Sequence, residues 1–181
     1  MSRIPAHTVE DAPEQSQLLL ERMKKSTGRL MNIHAGMAHS PIVLATYGAI
    51  NEAAAEHGTF DARTREAIAL AVGAVDDCGY CQAAHTISGQ RAGLILDETI
   101  AIRAGLDSVD PKLAALLAVM RAAADNVGEV DDQTWDEAVA AGWTDTELTE
   151  AFAYLVANLM TNYFNHYART DLDLPEAPST T

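Results

Sequence analysis

One stretch constrains this chain more than any other. Residues 66–85 read EAIALAVGAVDDCGYCQAAH and contain both cysteines of the sequence, Cys78 and Cys81. Eleven residues separate Glu66 from Cys78, and three separate Cys81 from His85. If residues 78–92 are helical, Cys78, Cys81 and His85 fall on one face, since positions three, four and seven apart share a side of an α-helix.

Thiol chemistry explains why that face matters. A thiol is a weak nucleophile at neutral pH, and an imidazole one turn away can take its proton. A carboxylate can hold that imidazole in one tautomer, and Glu66, on the preceding helix, is the candidate. A second thiol three residues from the first lets a disulfide close after oxidation. The start of a helix favours a Cys78 thiolate, because free backbone N–H groups point there, while Asp76 and Asp77 oppose it. Which sulfur ionises first stays open at this level. Three plainer readings compete with a redox dithiol: two inert buried cysteines, a permanent short-loop disulfide, and a metal site of Cys78, Cys81, His85 and Glu66. The metal reading lacks the distant second ligand pair that structural zinc sites draw on.

Composition narrows the classes. A chain of 181 residues with 48% hydrophobic side chains can bury one core as a single domain. Valine, isoleucine and threonine do not collect in alternating runs, so the expected fold is all-α. Net charge is −14, and residues 123–181 carry one basic side chain, Arg169, against 12 acidic ones. Such a chain repels polyphosphates, which argues against a nucleic-acid partner. No run is apolar and long enough for a membrane span, and Pro5, Pro13 and early acidic residues do not fit a secretory leader. A cytoplasmic setting, where two thiols rest reduced, is the expectation.

Residues 1–13 read as an irregular arm with a solvated His7, residues 14–170 as the helical domain, and residues 171–181 as a tail that wraps or frays. One helical run is expected over 14–36, with Gly28 as an interruption. Ser40 and Pro41 mark the next start, with Ile42, Leu44, Ala45, Tyr47, Ile50 and Ala53 as its apolar set, closing near His57 and Gly58. His34 and His39 flank that join and are read as packing or exposed residues. Asp61 caps a helix to about Val75 or Asp77, in which Glu66 is covered and needs a partner, His85 being the obvious one. Gly93 ends the CxxC helix. Further starts lie at residue 97, Asp110-Pro111, Asp131 or Asp132, and the capping box Thr144–Glu147. Trp135 and Trp143 are expected to anchor packing. The last helix is expected to bury Leu148, Phe152, Leu155, Val156, Leu159, Met160 and Tyr163. Its second stripe, Asn158, Asn162 and Asn165 with His166, reads first as a hydrated face, and otherwise as the lining of a polar pocket or a subunit contact. No glycine-rich phosphate loop or other cofactor motif occurs, so no cofactor is expected.

The Glu66, Cys78-Gly79-Tyr80-Cys81 and His85 arrangement resembles the core motif of the alkylhydroperoxidase AhpD-like family, within the carboxymuconolactone decarboxylase superfamily. Asp110-Pro111, Trp135, the AGWTDTEL turn at 140–148 and the final DLDLP resemble its peroxidase-related branch. The specific motif covers about 20 residues, and the looser likeness runs over residues 40–175. The resemblance implies an all-α bundle with the CxxC at the start of a central helix, in a homo-oligomer, a trimer or hexamer. It implies reduction of small organic hydroperoxides, with Cys81 as the attacking thiolate, Cys78 completing the disulfide, and Glu66 and His85 as proton relay. An external dithiol, lipoyl or thioredoxin-like, would restore the thiols. Tyr80 stands where the best-known members have a histidine, which shortens the relay; Tyr80, Asn158 and Asn162 are candidates to support the site from nearby. The rival readings are a thiol–disulfide oxidoreductase and a redox-sensing or metal-binding oligomer.

Overall fold

The computed structural model describes residues 1–106 and 109–180, and among these it contains nine α-helices and no strand. They are α1 (Glu14–Thr27), α2 (Asn32–Met37), α3 (Pro41–His57), α4 (Ala62–Val75), α5 (Gly79–Arg91), α6 (Leu96–Arg103), α7 (Pro111–Asp125), α8 (Asp132–Ala140) and α9 (Asp145–Ala168). The all-α expectation holds. No helix among the described residues is long and apolar enough to cross a membrane.

The bundle is built around α4. Its residues Ala67, Ile68, Ala69, Leu70, Ala71, Val72 and Gly73 are all buried, and it packs on α5, α6, α7 and α9. Small or apolar side chains on every face allow that, since a helix apolar all round can only be stable inside. Close approach to α5 uses Gly89, where a Cβ would meet Leu94 Cδ1 at 3.1 Å and Glu66 Cβ at 3.7 Å. One apolar cluster joins α4 to α7, α9, Phe60 and Trp143. A second joins α1, α2 and α3 to the CxxC turn through Leu20, Ile33, Met37, Leu44, Cys78, Tyr80 and Cys81. The dithiol turn lies in this second cluster, while its helix packs on α4.

Local chemistry sets the boundaries. Asp61, Asp110, Asp131 and Thr144 each accept a backbone N–H three residues on, capping α4, α7, α8 and α9. Gly28 takes a left-handed conformation (φ 76°) and splits the run expected over 14–36 into α1 and α2. Ser40 occupies the N-cap of α3, with Pro41 following, but its side chain makes no capping hydrogen bond. Trp143 is buried and donates to the Lys112 carbonyl at 2.6 Å, whereas Trp135 is partly exposed.

Three expectations are corrected. On α9 the buried face is the one carrying Tyr154, Leu155, Asn158, Thr161, Asn162 and Asn165, and Phe152, Val156 and Tyr163 are exposed. The asparagine stripe is therefore no hydrated face: apolar periodicity gives a helix's faces but not which of two candidates meets the core. On α3 only Leu44 is buried, and Ile42 is 74% exposed. His7 is not simply solvated, because its Nδ1 donates to Asp11 at 2.9 Å and its Nε2 faces His39 Nδ1 at 3.1 Å. The tail wraps: Asp173 pairs with Arg29 at 2.6 Å and Asp171 pairs with the N-terminal ammonium at 3.0 Å. Thr181 lies outside the described residues.

Candidate active site at the start of α5

Cys78 is the N-cap of α5, and its sulfur accepts the Cys81 N–H at 3.4 Å. The sharp turn before it depends on Asp77, a non-glycine residue at φ 49°. Two side chains of α9 hold that turn. Asn162 Nδ2 donates to Asp76 Oδ2 at 2.7 Å, and His166 Nε2 donates to the Asp76 carbonyl at 2.7 Å. Burial pushes the Asp76 carboxyl up despite the Asn162 bond.

Both sulfurs are covered, Cys78 being 1% exposed and Cys81 3%. Asn165 reaches them from α9: its Nδ2 lies 3.3 Å from Cys81 Sγ and 3.8 Å from Cys78 Sγ. Hydrogen bonding from the Cys81 thiol is the largest influence bringing the Cys78 thiol down to about 7. Burial opposes it, and the Cys81 N–H, Asn165 and His166 assist. The Cys81 thiol is pushed up, first by its bond to Cys78 and then by burial. The helix-start N–H donated to its sulfur favours a thiolate at Cys78 over one at Cys81.

One turn along α5 from Cys81, His85 Nδ1 donates to Glu66 Oε2 at 2.8 Å. The carboxylate accepts, so Nδ1 carries the proton and Nε2 is left as a base. Ser88 Oγ donates to the same Glu66 oxygen at 2.5 Å. Burial raises the Glu66 carboxyl, but the His85 and Ser88 bonds outweigh it and hold it below its ordinary value. Glu66 and His85 are about a quarter exposed, at 23% and 27%, so this end of the site meets solvent. Tyr47 of α3 closes another side; burial chiefly, then Cys81 and Glu66, push its hydroxyl up.

Cys78, Cys81 and Asn162 therefore meet at the start of α5, and Glu66 pairs with His85 one turn further along the same helix. Asn158 does not join them: it donates to the Tyr154 carbonyl of its own helix at 2.8 Å. Tyr80 turns away, its hydroxyl donating to Asp173 Oδ1 at 2.6 Å. Ser88 and Asp173 escaped the sequence reading. Ser88 is signalled only by its spacing of three from His85, and nothing local marks Asp173. Among the described residues no three His, Cys, Asp or Glu side chains form a group that could hold a metal ion.

Residues 41–125, which contain Glu66, both cysteines and His85, match the model of the Carboxymuconolactone decarboxylase family. This segment belongs to that family. The AhpD-like likeness extends over nearly the whole chain in structure. A peroxidase-related protein of Ralstonia eutropha JMP134, with an alkylhydroperoxidase AhpD core, superposes at TM-score 0.83 with 19% identity, over 95% of this chain and 92% of its own. A peroxidase-related protein of Silicibacter sp. TM1040 gives TM-score 0.77 and 15% identity, over 98% and 96%. The debrominase Bmp8, as a cysteine-to-alanine variant in complex with 2,3,4-tribromopyrrole, gives TM-score 0.79 and 17% identity, over 94% and 91%. No curated protein matches the chain. At these identities the structural likeness speaks for the AhpD-like fold. It includes α9, which the family match does not reach and which supplies Asn162, Asn165 and His166.

Proposed function

We propose that this protein is a cofactor-free dithiol peroxidase that reduces small organic hydroperoxides to alcohols. The observation that carries the reading is the pairing of two buried sulfurs under one amide donor with a histidine–carboxylate couple one turn away. Family and fold support an enzyme of AhpD-like type.

A Cys78 thiolate attacks the outer oxygen of R–O–O–H; the O–O bond breaks and the alkoxide takes a proton and leaves as the alcohol. Cys78 is now a sulfenic acid. Cys81 gives its proton to His85 Nε2, its electron pair forms the S–S bond, and the hydroxyl on Cys78 leaves as water after taking a proton. Two thiols are oxidised and one peroxide reduced. An external dithiol, lipoyl or thioredoxin-like, then reduces the disulfide. The expectation from family resemblance placed the first attack on Cys81; the lowered Cys78 thiol and raised Cys81 thiol favour Cys78 instead. Full burial of both sulfurs supports a small substrate over a protein disulfide.

A homo-oligomer in a reducing cytoplasm completes the proposal. Phe152, Val156, Tyr163 and Tyr167 form an exposed apolar stripe on α9, of the kind that a subunit contact covers.

Rapid-mixing measurement of thiol loss in reduced protein tests this reading. Cumene hydroperoxide, hydrogen peroxide, a small disulfide and 2,3,4-tribromopyrrole would be compared. Loss of two thiols per chain, fastest with the organic hydroperoxide and dependent on His85, is expected. Rates no greater than those of a free thiol would sink the reading, and fastest loss with the bromopyrrole would move it to reductive debromination.

A further inference from the structure

We propose that Asn165 is the shared anion donor of the dithiol, holding the Cys78 thiolate at rest and the Cys81 thiolate as the disulfide closes. The inference rests on the dithiol reading above but not on the identity of the oxidant.

The geometry argues for it. Asn165 Nδ2 reaches both sulfurs, at 3.3 Å and 3.8 Å, from a side chain that is 5% exposed. Its Oδ1 is buried without a partner, so the amide is not placed to satisfy itself or to stitch helices together. An amide kept in the core for packing would pair both ends. Here only the donor end is used, and it is used on sulfur.

The two sulfurs differ in their remaining donors. Cys78 also accepts the Cys81 N–H at the start of α5, so it carries the resting charge. Cys81 has no such helix terminus. When Cys78 has become a sulfenic acid its sulfur is no longer a thiolate, and the nearer Asn165 contact, at 3.3 Å, is in place for a Cys81 thiolate. One amide serves two successive anions without moving. Other ionisable groups around the sulfurs are His85 on α5, Glu66 on α4, Tyr47 on α3, His166 on α9, and Asp76 and Asp77 in the turn. Asn165 is an uncharged donor that reaches both sulfurs, whereas the Thr161 hydroxyl acts on Cys81 alone, so Asn165 steadies both thiolates without itself titrating.

Thiolate absorbance against pH, with no peroxide present, tests the proposal. Cys81→Ser protein reports Cys78 alone, and Cys78→Ser protein reports Cys81 alone. Adding Asn165→Ala to each is expected to raise both midpoints and to cut the thiolate fraction at a fixed pH by about fivefold to tenfold. Asn165→Leu, similar in size and without a donor, is expected to do the same and guards against a misfolded alanine variant, with circular dichroism as the check on folding. A packing role would lower thermal stability and leave both midpoints in place; that outcome, or a change at only one sulfur, overturns the proposal. Since no oxidant is used, failure here is distinct from failure of the peroxidase reading, in which thiol loss is slow while the midpoints still respond to Asn165.

Discussion

Glu66 and His85 are 19 residues apart in the chain and 2.8 Å apart in space. The couple fixes the imidazole with its Nε2 lone pair free, and Ser88 holds the same carboxylate oxygen from α5 at 2.5 Å. Three side chains on two helices thus position one base. Removing the carboxylate leaves the ring free to turn, so Glu66→Gln and His85→Ala should each slow turnover by about a hundredfold or more. Ser88→Ala should cost much less. Steady-state rates with cumene hydroperoxide and a dithiol reductant would measure this, and a Glu66→Gln enzyme near full activity would remove the relay from the mechanism.

The two cysteines should not be interchangeable. With Cys78 as the acidic sulfur, Cys81→Ser protein should still consume one equivalent of peroxide and stop at the sulfenic acid, which a dimedone-type trap would reveal by mass. Cys78→Ser protein should react at least about tenfold more slowly, because Cys81, buried like Cys78, lacks the helix-start N–H that Cys78 accepts. The reverse order of rates would return the first attack to Cys81.

His34 predicts an acid-sensitive core. It is 5% exposed with Nδ1 unpartnered, and burial lowers it from 6.5 to about 4. Between those values the unfolded chain binds a proton that the folded chain refuses, so stability is full above pH 6.5 and falls toward pH 4. The difference corresponds to roughly 3 kcal/mol. Urea midpoints at several pH values should decline across this window in the native protein and decline less in His34→Phe. Equal slopes would mean that another group carries the acid response.

Tyr80 should matter for stability and little for catalysis. Its hydroxyl is committed to Asp173, whose other oxygen pairs with Arg29 at 2.6 Å, and burial and this bond push its ionisation up. Tyr80→Phe should lower stability by about 1–2 kcal/mol and leave the rate per folded molecule within about twofold. Thermal melts and turnover on the same samples decide it. A large rate loss with an unchanged melt would place Tyr80 in the proton relay after all.

Much of this arrangement is legible along the chain. Spacing puts Cys81 and His85 one turn apart on α5, though Cys78, expected on the same helical face, is instead its N-cap with extended backbone. Four of the cap residues, Asp61, Asp110, Asp131 and Thr144, announce their helices, because these features act within one or two turns. The need for Glu66 to find a partner follows from its covered position on α4, and His85 meets it. The charge order of the two sulfurs was not legible. It follows from the folded CxxC turn, where Cys81 donates to Cys78 and burial acts on both sulfurs; Asn165 and His166, 84 and 90 residues away from the groups they contact, only assist at Cys78. Nor was the inward turn of the α9 asparagines, since a helix with an apolar and an amide stripe can bury either one, and only the packing of α9 on α4 and the CxxC turn chooses. Local pattern therefore determined the helices and the dithiol, while the tertiary structure decided which sulfur holds the charge, because an anion answers to whatever donors surround it regardless of their place in the chain.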